Sequence, residues 1–137
     1  MDIDAVETRL REAFSADDPQ ELATMVTELA SENLVQEWPQ SGERIRGIDN
    51  IRAVNEAYEG ATGTAPSMTL RRLTRPGSAW VVEGTIDYGD GTPVSLVSIL
   101  ETDAAGKIVR ETDYFANPFD APAWRAAWVE HMEPVAG

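Results

Sequence analysis

Residues 107–128 read KIVRETDYFANPFDAPAWRAAW, and what precedes them is best understood from this stretch backwards. It opens as a strand, Lys107–Ala116, apolar at its start and carrying Glu111 and Asp113 two residues apart. That spacing puts both carboxylates on one face of a strand. Asn117-Pro118 ends the strand, and Asp120 is placed to cap a helix running to about Met132, with Trp124 and Trp128 one turn apart on it. Such a pair of elements predicts either the wall and lid of an acidic pocket or plain sheet with an aromatic cover.

Upstream, residues 68–116 read as antiparallel sheet. Met68–Thr74 and Ala79–Tyr88 are strands, the second marked by Trp80, Val81, Val82 and Ile86. Gly89-Asp90-Gly91 is a hairpin signal, Pro93–Thr102 the next strand, and Asp103–Gly106 the turn into the last one. The first half is mainly helical. Ile3, Val6, Leu10, Ala13 and Phe14 recur at helical spacing over about 3–15. A second helix starts with Asp18 as cap, Pro19 in the first turn and Glu21 three residues after the cap. Asn33–Trp38 is a short strand stopped by Pro39, Gln40–Arg46 a loop, and Gly47 leads into a third helix that stops at Gly60. Gly60–Pro66 is a connection, and Pro134–Gly137 a short tail. The expected order is ααβαββββα, an α+β class, in one domain over 1–137.

Bulk properties narrow the functions. Eleven basic against 24 acidic residues give a net charge of −13, which disfavours nucleic acid and anionic membrane surfaces as partners. The chain has no cysteine, which excludes disulfides, thiolate metal sites and a cysteine nucleophile, and fits a reducing cytoplasm. The amphipathic, acidic first residues do not read as a signal peptide, and no apolar run is long enough to span a membrane. His131 is the lone histidine, and no calcium-loop or two-histidine spacing occurs, so no metal and no cofactor are expected.

The two-helix start, Trp38-Pro39, Arg46-Gly47 followed by Asp49, Ile51 and Arg52, and the Gly106-Lys107-Ile108 return into the last strand resemble the nuclear transport factor 2-like superfamily, in its SnoaL-like and ketosteroid-isomerase-like branch. The segment YFANPFDAPAWRAAW is similar to the C-terminus of a group of proteins with this fold. The resemblance implies a cone: a curved antiparallel sheet wrapped around the N-terminal helices, enclosing one pocket. In the isomerase branch the aspartate base falls at Trp38, the oxyanion tyrosine near Leu10 and the protonated aspartate at Ser98. All three positions are replaced, so ketosteroid isomerisation is not expected.

A two-residue turn at Asp90-Gly91 would pair Asp87 with Val94, Thr85 with Leu96 and Glu83 with Ser98. By the resemblance the Ser98 face is the concave one, which puts Glu83, Thr85, Asp87 and Leu96 inside, along with Val109, Glu111, Asp113 and Phe115. Ile86, Tyr88, Val97, Ile99, Arg110 and Tyr114 would form an apolar outer face suited to a homodimer contact. Glu83, Glu111 and Asp113 are then the convergent acids, or else sit at a solvated mouth paired with Arg71, Arg72 or Arg110. SnoaL-like cyclases use an aspartate in their C-terminal part as acid/base, and Asp113 is the nearest counterpart by region. The expected site has Asp113 with Glu83 or Glu111 as partner, lined by Phe14, Trp38, Thr85, Leu96, Ser98, Phe115 and Trp128. It would take a small, largely apolar molecule, cyclic ones included, as a cofactor-free enzyme or as a binding module without turnover. A structural homodimer with a vestigial pocket is the third reading.

Overall fold

The computed structural model describes residues 2–15, 19–63 and 66–133. Helix α1 spans Ile3–Ala13 and α2 Pro19–Leu29; strands β1 (Ala30–Trp38) and β2 (Glu43–Arg46) precede α3 (Ile48–Thr62). Strands β3 (Ser67–Thr74), β4 (Ala79–Asp87), β5 (Pro93–Thr102) and β6 (Ile108–Ala116) complete a six-stranded sheet in the order β2-β1-β6-β5-β4-β3. The expected α+β cone is present. Asp18, read as the cap of α2, and Pro134–Gly137, read as a tail, lie outside the described residues, as do two residues of the Gly60–Pro66 connection.

Side-chain chemistry fixes the helices against each other and the sheet. Asp2 caps α1 by accepting from the Asp4 amide at 3.1 Å. Arg9 reaches across from α1 to Glu28 (2.7 Å) and Glu21 (2.9 Å) of α2. Lys107 donates to the Glu28 carbonyl at 2.9 Å, satisfying an acceptor in the last turn of α2. Val6, Leu10, Met25 and Leu29 from the two helices meet Leu34, Trp80, Val82, Leu100 and Ile108 from the sheet in one continuous core.

All pairings are antiparallel except that of β1 with β6, which is parallel. That contact joins the first strand to the last and brings distant sequence together. Register shifts in β1, β3 and at the start of β6 mark irregularities of the bulge type, which bend strands and give the sheet its curl. The irregularity in β3 also explains Gly84. A Cβ there would lie 2.8 Å from the Thr69 carbonyl oxygen, so β4 can approach β3 this closely only without a side chain.

Three expectations are corrected. Glu43–Arg46 is a strand, not a loop, because β1 offers it a paired edge from Val35 to Trp38. The β4–β5 connection is not a two-residue turn. Asp87 pairs with Pro93, and the Asp87 carboxylate accepts from the amides of Gly89 (2.8 Å) and Gly91 (3.2 Å), both at positive φ. This side-chain capping stretches the loop to residues 88–92 and moves the register by one. Val82 therefore faces Ser98, Gly84 faces Leu96, and Ile86 faces Val94.

The third correction is the C-terminal helix. After β6 the chain runs without regular structure past Pro118 and Pro122 to a single 3-10 turn, Ala123–Arg125. Pro122 occupies the cap position and makes no side-chain hydrogen bond there. A helix of this length needs a surface to pack on, and among the described residues the Trp124–Trp128 stripe meets none. Trp124 is 74% and Trp128 80% exposed, so neither covers the core. Arg125 lies over the Trp124 ring at 5.8 Å.

Candidate functional site

Strands alternate their side chains, so the inner face of β5 and β6 follows from single residues. Leu96, Ser98 and Leu100 point inward from β5, opposite Phe115, Asp113 and Glu111 of β6. The bulge before Arg110 turns Ile108 rather than Val109 into the core, where it is 3% exposed. Because β1 runs parallel beside β6, Gln36 is the partner of Glu111. Trp38 follows two residues later on the same face.

These side chains meet in a compact polar cluster. Ser98 Oγ donates to Asp113 Oδ1 at 2.6 Å. Gln36 Nε2 donates to Asp113 Oδ2 at 2.9 Å and to Glu111 Oε2 at 2.6 Å. Trp38 Nε1 adds a longer bond, 3.3 Å, to Asp113 Oδ2. Asp113 is 4% and Ser98 2% exposed, the two buried polar residues of the sheet. Among the described residues no buried side-chain nitrogen or oxygen lacks a partner.

Asp113 thus receives donors on both carboxylate oxygens, as an anion would. Glu111 is the opposite case. Burial first, then the charge of Asp113 and a hydrogen bond to it, push the Glu111 carboxyl well above the ordinary value of 4.5, with the Gln36 bond opposing. Glu111 is thus the member of the pair pushed towards its protonated form.

The cluster floors a cavity of about 640 Å³ between the inner sheet face and the three helices. Phe14, Trp38, Tyr58, Tyr88 and Phe115 contribute aromatic walls. Trp38 meets Phe115 edge-on at 6.4 Å, and Tyr58 meets Tyr88 at 5.8 Å. Burial, then Tyr58 and Asp113, raise Tyr88 above the usual phenol value, so it stays a hydroxyl. Thr24 and Thr27 of α2 and Arg52, Asn55 and Glu56 of α3 are exposed and line the cavity at its rim. Room, apolar walls and a few convergent polar groups are the usual make-up of a small-molecule site.

Of the expected site residues, Asp113, Glu111, Ser98, Leu96, Phe115, Trp38 and Phe14 all line this cavity. Glu83, Thr85 and Trp128 do not. The one-residue change of register puts Glu83 and Thr85 on the outer face, where Glu83 pairs with Arg72. Trp128 lies in the exposed C-terminal segment, as does His131. Conversely, Ile86 and Tyr88, expected outside, face the cavity. Gln36 was missed. Its spacing from Leu34 and Trp38 at every second position was the available signal.

A cone-shaped α+β fold with a carboxyl pair at the floor of one pocket defines the class. The SnoaL-like domain model matches residues 8–111, and the chain belongs to that family. Among solved structures, an NTF-2-like protein of unknown function from Burkholderia xenovorans LB400 is 33% identical, with 95% of this chain and 97% of that one covered at a TM-score of 0.75. A candidate ketosteroid isomerase from Kribbella flavida DSM 17836 is 25% identical, covering 95% and 89% at a TM-score of 0.72. A bacterial protein with a cystatin-like fold from Silicibacter pomeroyi DSS-3, 19% identical over 85% and 77% at a TM-score of 0.63, shares the fold. Comparison with curated proteins gives no match.

Proposed function

We propose that the cavity is the active site of a cofactor-free enzyme that performs carboxylate acid/base chemistry on a small, largely apolar molecule, cyclic ones included. The reaction would be of isomerase, cyclase, lyase or hydrolase type. The observation that carries this reading is the carboxyl pair, Glu111 keeping a proton beside an Asp113 held by Ser98, Gln36 and Trp38. A carboxyl pushed towards its protonated form is suited to act as a general acid, with a neighbouring carboxylate as its partner. Glu111 takes the acid role and Asp113 becomes its partner, the reverse of the sequence expectation.

In an enolising step, Glu111 would give its proton to a substrate oxygen as charge develops there. That leaves two carboxylates side by side, a state that repulsion disfavours. The pair is then driven to accept a proton from a carbon of the same molecule. One C–H bond breaks, one O–H bond forms, and the pair returns to its starting state. Aromatic walls hold the apolar body and keep water away, which strengthens each of these interactions. The name of the Kribbella flavida relative is in keeping with an isomerase of this shape. Ketosteroids are not the proposed substrate, since Trp38, Leu10 and Ser98 stand where that reaction needs its base and donors.

One observation favours a second reading, a binding module without turnover. Three donors already engage both oxygens of Asp113, and Gln36 ties Glu111 to it, so the polar cluster is satisfied within the chain. Deuterium uptake next to the carbonyl of small cyclic ketones and enones, followed by NMR in heavy water, separates the two. The enzyme reading expects exchange by the wild type, cut about 100-fold or more by Glu111→Gln and by Asp113→Asn with folding unchanged. Binding of the same compounds without exchange would establish the module instead.

A further inference from the structure

Gln36 stands beside Glu111 across the parallel pairing of β1 with β6, half-buried on the face that lines the cavity. Its Nε2 lies 2.6 Å from Glu111 Oε2 and 2.9 Å from Asp113 Oδ2. A side-chain amide nitrogen carries two hydrogens, and here each has its own carboxyl. The other donors of the cluster are one-sided, since Ser98 and Trp38 reach Asp113 alone. Among the described residues, Gln36 is therefore the one donor shared by both acids.

We propose that, given the acid role of Glu111, Gln36 is the positioning residue of the carboxyl pair: its amide spans the two acids and steadies the doubly ionised state that proton donation leaves. While Glu111 is protonated, the bond it receives from Gln36 is an ordinary neutral one. Once the proton has passed to a substrate oxygen, the same N–H meets a carboxylate, and a hydrogen bond to an ionised acceptor is roughly twice as strong. The gain falls on the state that repulsion makes hardest to reach. Burial and Asp113 favour the protonated form of Glu111, and the Gln36 bond works against them. An amide suits this task because it donates without carrying charge. A cation at position 36 would strip the proton from Glu111 at rest, and an apolar side chain would leave it held too firmly to give up. Few other groups compete. Asp113 is the neighbouring charge on β6, Tyr58 of α3 and Tyr88 just past β4 face the cavity, and Arg52 and Glu56 stand exposed at its rim. Among the described residues, α1, α2 and β5 bring no titratable side chain to it.

Gln36→Met keeps the length and bulk of the side chain and removes both N–H groups, whereas Gln36→Lys puts a cation in their place. Carbon NMR of protein labelled at its glutamate carboxyls follows Glu111 directly, with no ligand added. Gln36→Met should make Glu111 hold its proton about tenfold more tightly than in the wild type, and Gln36→Lys about tenfold more weakly. The two titration midpoints then move in opposite directions. In the deuterium-uptake assay on small cyclic ketones, Gln36→Met should lower kcat about tenfold with KM unchanged, and the alkaline limb of its pH profile should move up with the carboxyl midpoint. A side chain that only fills space would leave both midpoints where they are or move them the same way, and either result overturns the proposal. Exchange by the wild type that Gln36→Met leaves intact, with the Glu111 midpoint unmoved, removes the role of Gln36 and keeps the acid pair. Opposed midpoints in a protein that exchanges nothing uphold Gln36 as the residue that sets the pair and remove the enzyme.

Discussion

The inner face of β4, β5 and β6 is one surface with two fates. Towards one end Trp80, Val82, Leu100 and Ile108 are packed solid against Leu10, Met25 and Leu34, and none is more than 4% exposed. Towards the other, Ile86, Leu96, Ser98, Asp113 and Phe115 look into a cavity of about 640 Å³. The strands are the same, so the difference lies in what faces them. Helices α1 and α2 press Leu10, Met25 and Leu29 into the solid half, whereas Phe14, Leu22, Val26 and Ile51 line the hollow half without filling it, and Thr24, Thr27 and Asn55 border its rim. Stability and site are thereby placed on neighbouring pieces of the same strands. The hollow half can hold charge because the solid half supplies the apolar burial that keeps the sheet together.

The largest expected effect tests that division directly. Leu100→Ala, at 0% exposure, should cost about 2–5 kcal/mol in urea denaturation, since its neighbours cannot close the hole. Leu96→Ala, four residues along the same face and already bordering empty space, should cost about half as much. Equal losses would mean that the two halves are not energetically distinct.

The hollow half should instead reveal itself through pH. Glu111 is raised above its ordinary value of 4.5, so between that value and its folded value the native state binds a proton that the unfolded chain has released. Stability then falls as pH rises through this window, and the slope ends above the folded value. Glu111→Gln preserves the shape and can still donate to Asp113, but it cannot ionise. The variant should match the wild type below pH ~4.5 and become progressively more stable than it as pH rises from there to the raised value of Glu111. Parallel stability curves for the two proteins would mean that Glu111 is not held protonated, and the acid role would fall with it.

How much of this could be read in the sequence depends on what fixed each feature. Within a strand the two-residue period settles which side chains share a face, so Glu111, Asp113 and Phe115 were legible together, as were Leu96 and Ser98. Between strands the face depends on the loop. The Asp87 carboxylate, by capping Gly89 and Gly91, lengthened the turn and sent Glu83 and Thr85 outward. Gln36 reaches Glu111 across a parallel pairing of strands 75 residues apart, and no local pattern records such a neighbour. The C-terminal helix failed for a different reason. Its tryptophan spacing is helical, but spacing becomes structure only where another surface receives the stripe.

The smallest expected effect lies on the opposite face of the same strand and sharpens the contrast. Glu83 and Arg72 face each other across β4 and β3, with Arg72 Nη2 donating to Glu83 Oε1 at 3.1 Å. Their side chains are 28% and 57% exposed, so water screens the attraction and ordering two long side chains offsets much of it. Arg72→Ala should move the urea midpoint by no more than roughly 0.5 M. Glu83→Gln should leave proton exchange at the cavity and the pH slope of stability as they are. A Glu83→Gln variant that altered either would mean that this carboxylate communicates with Glu111 and Asp113 through the strand. The separation of the two faces, on which the assignment of the acid pair rests, would then have to be redrawn.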